Sequence, residues 1–389
     1  MPDRPRPQLP SPLRGVGFQA PFGRRAVVVG AGSFGTAVAV LLARGGLRTT
    51  LQARTREQAE RLAADRENAV YLPGVELPRE LRVEATDAGL ARAEFVFLGV
   101  PSHGLDAVIA GLVERGLGPR ASVVSLSKGL VPPTGRAPTV VLREHFGPER
   151  VACIGGPAHA REMVHEGAGL VAASEDEALA LQLARVFIHA GVVCEESNDP
   201  LGVELAGAAK NAAALAAGAT ERQGLNAAGA AAGHIFAEVW RYAEAQGARA
   251  DSMIGLAGTG DLVATALAPQ SRNRRAGELL ADGVAAEEIP QRIGQAVEAL
   301  ESVPLLAQAI ERAGFEAPVT GGLARLIAAD LPLDDWVALV RTTVPPPARF
   351  RRVPARPRPR WWARLRERLG WRRGAPLEIE SGDSLPGGS

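Results

Sequence analysis

Short runs of aliphatic and β-branched residues alternate with helix-length spacers from Ala26 to about Ala190. The runs are Ala26–Val29, Thr49–Gln52, Phe95–Val100, Ser122–Leu126, Val151–Ile154 and Leu170–Ala173, with a last piece at Gly191–Cys194. Strands separated by helical spacers build βαβ units, so this half predicts an α/β fold with a doubly wound, mostly parallel sheet. From Leu201 to about Val340 the pattern becomes Ala- and Leu-rich with a helical period and few β-branched clusters. That change predicts an all-α second domain. The expected division is a disordered leader over 1–25, the α/β domain over 26–198, the helical domain over 199–342 and a tail over 343–389.

The two ends lack any apolar period. The leader is rich in Pro, Arg and Gly, and the tail opens on a proline cluster that argues for an extended linker. Residues 349–373 then carry eleven Arg and one Glu, a balance of +10, against −10 for residues 26–348. A helix there would put Trp362, Leu365 and Leu369 on one face with arginines around them, as an interfacial helix on anionic lipid does. A solvated tail, or one docked on the acidic body, ranks first. Peripheral membrane contact ranks second and nucleic acid last.

Composition narrows the class. The formal net charge is +1, with no apolar run long enough to span a bilayer and no apolar stretch behind basic residues at the N-terminus, so a cytoplasmic protein is expected. Cys153 and Cys194 each sit in an apolar run without a companion at ligand spacing, which predicts buried thiols and no metal site. Of 44 basic residues only Lys128 and Lys210 are lysines. Arginine stays protonated near neutral pH, whereas a partly buried lysine can give up its proton, so a lysine that survives such a bias is a candidate for proton chemistry.

The first strand runs straight into Gly30-Ala31-Gly32-Ser33-Phe34-Gly35 and then into a helix. This is the G-x-G-x-x-G turn of a Rossmann domain. The first glycine allows the turn, the second lets a pyrophosphate approach the backbone, and the third lets helix and strand pack, with the helix N-terminus facing the phosphates. Gly30, Gly32, Ser33, Phe34 and Gly35 are therefore candidate dinucleotide contacts. At the end of the second strand, where an acid would bind the ribose of NAD, the chain reads Leu51-Gln52-Ala53-Arg54-Thr55-Arg56. A guanidinium at Arg54 suits a 2′-phosphate, so NADPH is the expected cofactor and NADH the alternative.

Further segments follow in order: Asn68 to Gly74, Ser125 to Leu130, Gly155 to Glu162, Glu204 to Asn211, Gly258 to Leu262, and Ser271 to Arg275. Together with the glycine-rich turn they closely resemble bacterial-type NAD(P)H-dependent glycerol-3-phosphate dehydrogenase, over about Ala26 to Val340. The resemblance implies reduction of dihydroxyacetone phosphate to sn-glycerol 3-phosphate, for phospholipid synthesis, by a homodimer that takes a small phosphorylated substrate. Hydride arriving at a ketone leaves an alkoxide that needs a proton, and an ammonium can supply it. Lys210 matches the family's proton donor and acceptor. Lys128 matches the lysine that touches both cofactor and substrate, where its charge would steady the oxyanion and lower the pKa of Lys210. Asp261 matches the acid that orients the ammonium, and Thr265 its hydroxyl neighbour. Arg272 and Asn273 match the residues that grip the substrate phosphate. Ser271 precedes that pair, Gly156 and Ala158 match the backbone of the substrate pocket, and Ala160, Glu298, Lys128 and Arg272 match cofactor contacts. Taken singly, an Asp at a helix N-terminus or an Arg-rich loop has a bland structural explanation.

The chain departs from the family's pattern in places. Thr-Arg-Gly is replaced by Gly233-His234-Ile235, which removes an arginine and a hydroxyl expected close to the active site. Ala158 stands where a Ser or Thr is usual, and Ala266 where a Cys is usual. His159 replaces an aromatic residue and is expected at the surface, partly exposed. Two alternatives compete with the dehydrogenase reading. One is a hydroxy-acid dehydrogenase of the same architecture; the other is a catalytically slack NADP-binding protein whose tail docks on membrane or nucleic acid.

Overall fold

The computed structural model describes residues 23–268 and 270–344. Most of the leader, and the tail from 345 with its expected amphipathic helix, lie outside the described residues. Among the described residues ten strands are formed: β1 (Arg25–Val29), β2 (Arg48–Ala53), β3 (Glu67–Asn68), β4 (Leu72–Glu76), β5 (Arg82–Ala85), β6 (Phe95–Leu98), β7 (Ser122–Ser125), β8 (Val151–Gly155), β9 (Gly169–Ser174) and β10 (Val193–Ser197). Eight of them make one sheet in the order β10-β9-β8-β7-β6-β1-β2-β5. All its pairings are parallel except β8 with β9, so the sheet is mostly parallel as the alternating pattern predicts. The strand β1 lies between β2 and β6, where the winding reverses direction, and its C-terminal end is the crevice in which such sheets take ligands.

The boundaries differ where backbone conformation intervenes. The last strand begins at Val193 and not at Gly191, because Gly191 has φ +92° and belongs to the turn. Strand β6 stops at Leu98 because Gly99 packs on the glycine turn, its N–H donating to Val29 O and a Cβ there meeting Gly35 Cα at 3.0 Å. Strands β3, β4 and β5 carried no clear signal. The first two form a separate small hairpin containing Pro73 and Gly74, and β5 is a four-residue sheet edge with no fully buried position.

Apolar side chains on each face of the sheet enter separate clusters, with Val28, Leu51, Phe97 and Ile154 on one side and Val27, Val96, Leu98 and Val123 on the other. Residues buried on both faces explain the unbroken aliphatic runs. The second half is helical from Pro200 to Thr342 apart from its turns, and its core surrounds the helix Pro200–Thr220. Nearly every residue of that helix is buried, Lys210 included. Three buried carboxylates bind helix starts: Asp199 accepts from Gly202 N, Glu204 from Thr139 N, and Glu238 from Val319 N and Thr320 N. Both cysteines are buried thiols, and burial pushes Cys194 up to about 12. Among the described residues no helix is long and apolar enough to cross a membrane.

Candidate active site

An open cleft of about 2240 Å³ runs from the glycine turn across the end of the sheet to the helical half. Its walls include Gly30, Gly32, Ser33, Phe34, Gly35 and Arg54 from the first half, and Lys210, Asp261, Thr265, Ser271, Arg272, Asn273 and Glu298 from the second. Lys128, Ala158 and Ala160 line it between them. Residues as far apart in sequence as Ser33 and Glu298 thus face one space.

The glycine turn fits a dinucleotide. A Cβ on Gly30 (φ +108°) would meet Gly99 O at 2.4 Å, and one on Gly35 would meet Gly30 O at 2.1 Å, so both positions are closed to any side chain. A Cβ on Gly32 would meet nothing within 4 Å: the space above it is open, at the N-terminus of the helix Ser33–Arg44, which has no side-chain cap. Open space facing uncapped amides suits a pyrophosphate. Asn68 Nδ2 braces the turn by donating to Ala31 O and Thr36 Oγ1. Arg54 projects at the end of β2, and Arg61 from the following helix lines the same stretch of cleft.

At the other end, Lys128 follows β7 and donates from Nζ to Asp261 Oδ2 at 2.6 Å and to Gly156 O at 2.9 Å. Lys210 comes from the middle of its buried helix, with Nζ 3.5 Å from Asp261 Oδ1 and donating to Thr265 Oγ1 at 3.3 Å. Thr265 in turn donates to Asp261 Oδ1. A single π-helical turn, Leu256–Gly260, delivers Asp261 to this position, and a side chain on Gly258 would strike Met253 O at 2.0 Å. The Asp261 side chain is 3% exposed, Lys210 9% and Lys128 14%.

Burial with a second cation nearby sets the proton chemistry. Desolvation, aided by the Lys128 charge, brings Lys210 down to about 8 against the opposing pull of Asp261 and Glu298. Burial pushes the Asp261 carboxyl up, but Lys128 and Lys210 overcome it and hold the group below the ordinary carboxylate range. The site therefore holds a lysine that can both give and take a proton near neutral pH, beside a carboxylate that stays charged.

Family models described as the N-terminus and the C-terminus of NAD-dependent glycerol-3-phosphate dehydrogenase match residues 25–180 and 199–338. The chain belongs to the NAD-dependent glycerol-3-phosphate dehydrogenase family. Members named glycerol-3-phosphate dehydrogenase (NAD(P)+) include one from Methylococcus capsulatus, 36% identical over 80% of this chain and 94% of that relative. Another, from Deinococcus radiodurans, is 40% identical over 77% of this chain and 89% of that relative. The crystal structure of a glycerol-3-phosphate dehydrogenase from Coxiella burnetii covers 83% of this chain and 100% of its own at 29% identity, with a TM-score of 0.78.

Within this family member the expected residues are not all placed alike. Gly156 is buried and its carbonyl is taken by Lys128; it does not line the cleft. Ser271 lines the cleft, but its hydroxyl caps the helix Arg272–Ala281 by accepting from Arg274 N. Asn273 donates to Asn211 Oδ1 and accepts from Ala299 N, while Arg272 donates to Ala296 O. Asn211, next to Lys210, was not singled out, yet it also donates to Lys128 O and Glu298 Oε2 and so links both lysine segments. Its adjacency to one of only two lysines is the signal in the sequence that marks it. One expectation needs correction. Gly233, His234 and Ile235 do not line the cleft, since their helix Leu225–Ala245 turns Gly233 outward and Ile235 into the helical core. His159 is partly exposed, as expected, and lines the cleft.

Proposed function

We propose that this chain reduces dihydroxyacetone phosphate to sn-glycerol 3-phosphate, reversibly and with a preference for NADPH, using Lys210 as proton donor. The observation that carries this reading is the Lys210, Asp261 and Lys128 cluster, a titratable ammonium beside a carboxylate at the junction of the two halves. A nicotinamide dinucleotide, held at its pyrophosphate by Gly30, Gly32, Ser33, Phe34 and Gly35 and further along by Ala160, would supply the hydride. Lys128 and Lys210 present two positive groups to a carbonyl oxygen, which stabilises the charge that grows there. Lys210 then passes its proton to that oxygen; in reverse, its neutral amine takes the proton from the alcohol. Asp261 orients both ammoniums and Thr265 fixes Lys210 from the side. Arg272, with Asn273 released to the ligand, grips the phosphate, and Glu298 and Asn211 hold the floor between substrate and cofactor. Arg54, joined by Arg61, favours a 2′-phosphate over a bare ribose. In this reading the division at 198/199 separates the half that holds the dinucleotide from the half that supplies the proton.

The test is loss of NADPH absorbance on adding dihydroxyacetone phosphate to the purified full chain. Turnover of this substrate, with none of 2-oxo acids, is the expected outcome. Turnover of a 2-oxo acid instead would favour the hydroxy-acid reading. The proposal extends to a homodimer, checked by light scattering, and to contact of the +10 segment at 349–373 with anionic membrane. Cosedimentation with anionic vesicles is expected for the full chain and lost in a chain ending at Val344; equal binding by both would remove the membrane role.

A further inference from the structure

Next to Arg54, whose carbonyl lies 3.5 Å from Thr86 Oγ1, the cleft has a stretch lined by Thr86, Gly89, Ala107, Val108, Gly111 and Arg115. Arg115 closes the helix Leu105–Glu114, and two of the three nitrogens of its guanidinium are tied down. Nε donates to Gly111 O at 2.9 Å, and Nη1 donates to Gln52 Oε1 at 2.8 Å and to Thr86 O at 2.6 Å. Its partners belong to the frame of the dinucleotide crevice: Gln52 O accepts from Gly30 N in the glycine turn, and Thr86 N donates to Ala53 O beside Arg54. The third nitrogen, Nη2, has no hydrogen bond among the described residues. Nor is it sealed, since the buried atoms without a partner there are His159 Nε2, Gln223 Oε1 and Ser302 Oγ. A Cβ on Gly111 would stand 3.9 Å from Nε and 4.0 Å from Nη2, so the absent side chain leaves that flank of the guanidinium bare.

This stretch suits a flat, uncharged group better than a phosphate. Asp87 and Glu114 also line it, and both oppose the lowering that burial imposes on the proton affinity of Arg115. Two carboxylates disfavour a second anion, whereas a nucleobase carries no charge. A guanidinium already fixed in one plane presents its face to an aromatic ring with little further loss of side-chain entropy. In the reading given above, on which this inference rests, Arg54 meets the 2′-phosphate of the adenosine, and the adenine ring is left to the adjoining space between Thr86 and Gly111. We propose that Arg115 is a specificity-determining residue for the cofactor, its guanidinium stacking on the adenine ring. The base is then held by a cation that makes no distinction between NADPH and NADH, while Arg54 supplies the distinction at the ribose.

The experiment titrates NADPH, NADH and reduced nicotinamide mononucleotide, which lacks the adenosine half, into the full chain and follows nicotinamide fluorescence in wild type, R115M and R115F. Methionine keeps an unbranched stem without a planar group. Phenylalanine supplies a flat face without the hydrogen bonds to Gly111, Gln52 and Thr86. R115M is expected to weaken NADPH and NADH by the same factor, roughly 5- to 50-fold, and to leave the mononucleotide unchanged. R115F is expected to recover most of that loss. A loss confined to NADPH would make Arg115 a phosphate ligand and overturns the proposal. Equal losses in R115M and R115F, or a matching loss for the mononucleotide, would reduce Arg115 to a structural tie and overturn it too. Should R115M not fold, as judged by its thermal melt, R115K replaces it, keeping the charge but not the plane, with the same expectations. If Arg54→Ser leaves NADPH affinity unchanged, the placement of the adenosine fails. If Arg54→Ser weakens NADPH and R115M does not, only the role of Arg115 fails.

Discussion

Lys210 Nζ stands 3.5 Å from Asp261 Oδ1, within ion-pair reach but beyond a short hydrogen bond. The carboxylate's tighter contact, at 2.6 Å, goes to Lys128. The acid thus offsets one of the two positive charges without clamping the lysine that must exchange its proton. Burial is then free to bring Lys210 down to about 8.

The direction of catalysis should follow that proton. Reduction requires the ammonium, so its rate is level below pH about 8 and falls above it; oxidation of glycerol 3-phosphate requires the amine and rises through the same pH. Lys210→Ala and Lys210→Arg should each lose about 100- to 10,000-fold in kcat, because Arg keeps the charge but cannot titrate. Steady-state assays in both directions across pH 6 to about 10 test this, with NADPH binding as the control for folding.

Asp261→Asn leaves two buried ammonium groups facing an amide. The pull that raises Lys210 disappears, so the limb of the reduction profile moves to lower pH. Stability should drop by about 3–5 kcal/mol, the usual loss when one partner of a buried ionic group is removed. Chemical denaturation against wild type measures it.

The glycine turn separates folding from binding. Gly35→Ala places a Cβ against Gly30 O and should lower the melting temperature. Gly32→Ala meets open space within the protein and should leave the melting temperature unchanged while weakening dinucleotide affinity, because the methyl group occupies room left for phosphate. Thermal melts paired with NADPH titration distinguish the two.

Cofactor preference should respond to Arg54. Arg54→Ser is expected to lower kcat/KM with NADPH by roughly 10- to 100-fold, the worth of a charge-assisted hydrogen bond, and to change the NADH value much less. Parallel assays with the two cofactors give the ratio.

Glu204 makes stability depend on pH. Burial raises its carboxyl to about 7, against the hydrogen bonds from Thr139 and Ser125, so the folded chain holds a proton that the unfolded chain releases from about 4.5 upward. The group's contribution is complete below pH about 4.5 and is lost as pH rises through about 7, a change on the order of 3 kcal/mol. Glu204→Gln should flatten that part of the profile in urea denaturation across the same range.

Read in one dimension, the chain already determined the alternating α/β half, the helical half, the glycine turn and the two exceptional lysines. These depend on local order: a strand needs its aliphatic run, a phosphate turn its glycines, and a proton carrier a residue that titrates. What lay beyond the linear pattern depends on packing at a distance. The antiparallel pairing of β8 with β9, the carbonyl of Gly156 turned onto Lys128, Asn211 tying both lysine segments together, and the orphaned nitrogen of His159 all arise where separate segments meet. So does the proton affinity of Lys210, because a lysine's pKa falls when a closed core removes its water, and that core assembles only when the helix around it is buried on every side.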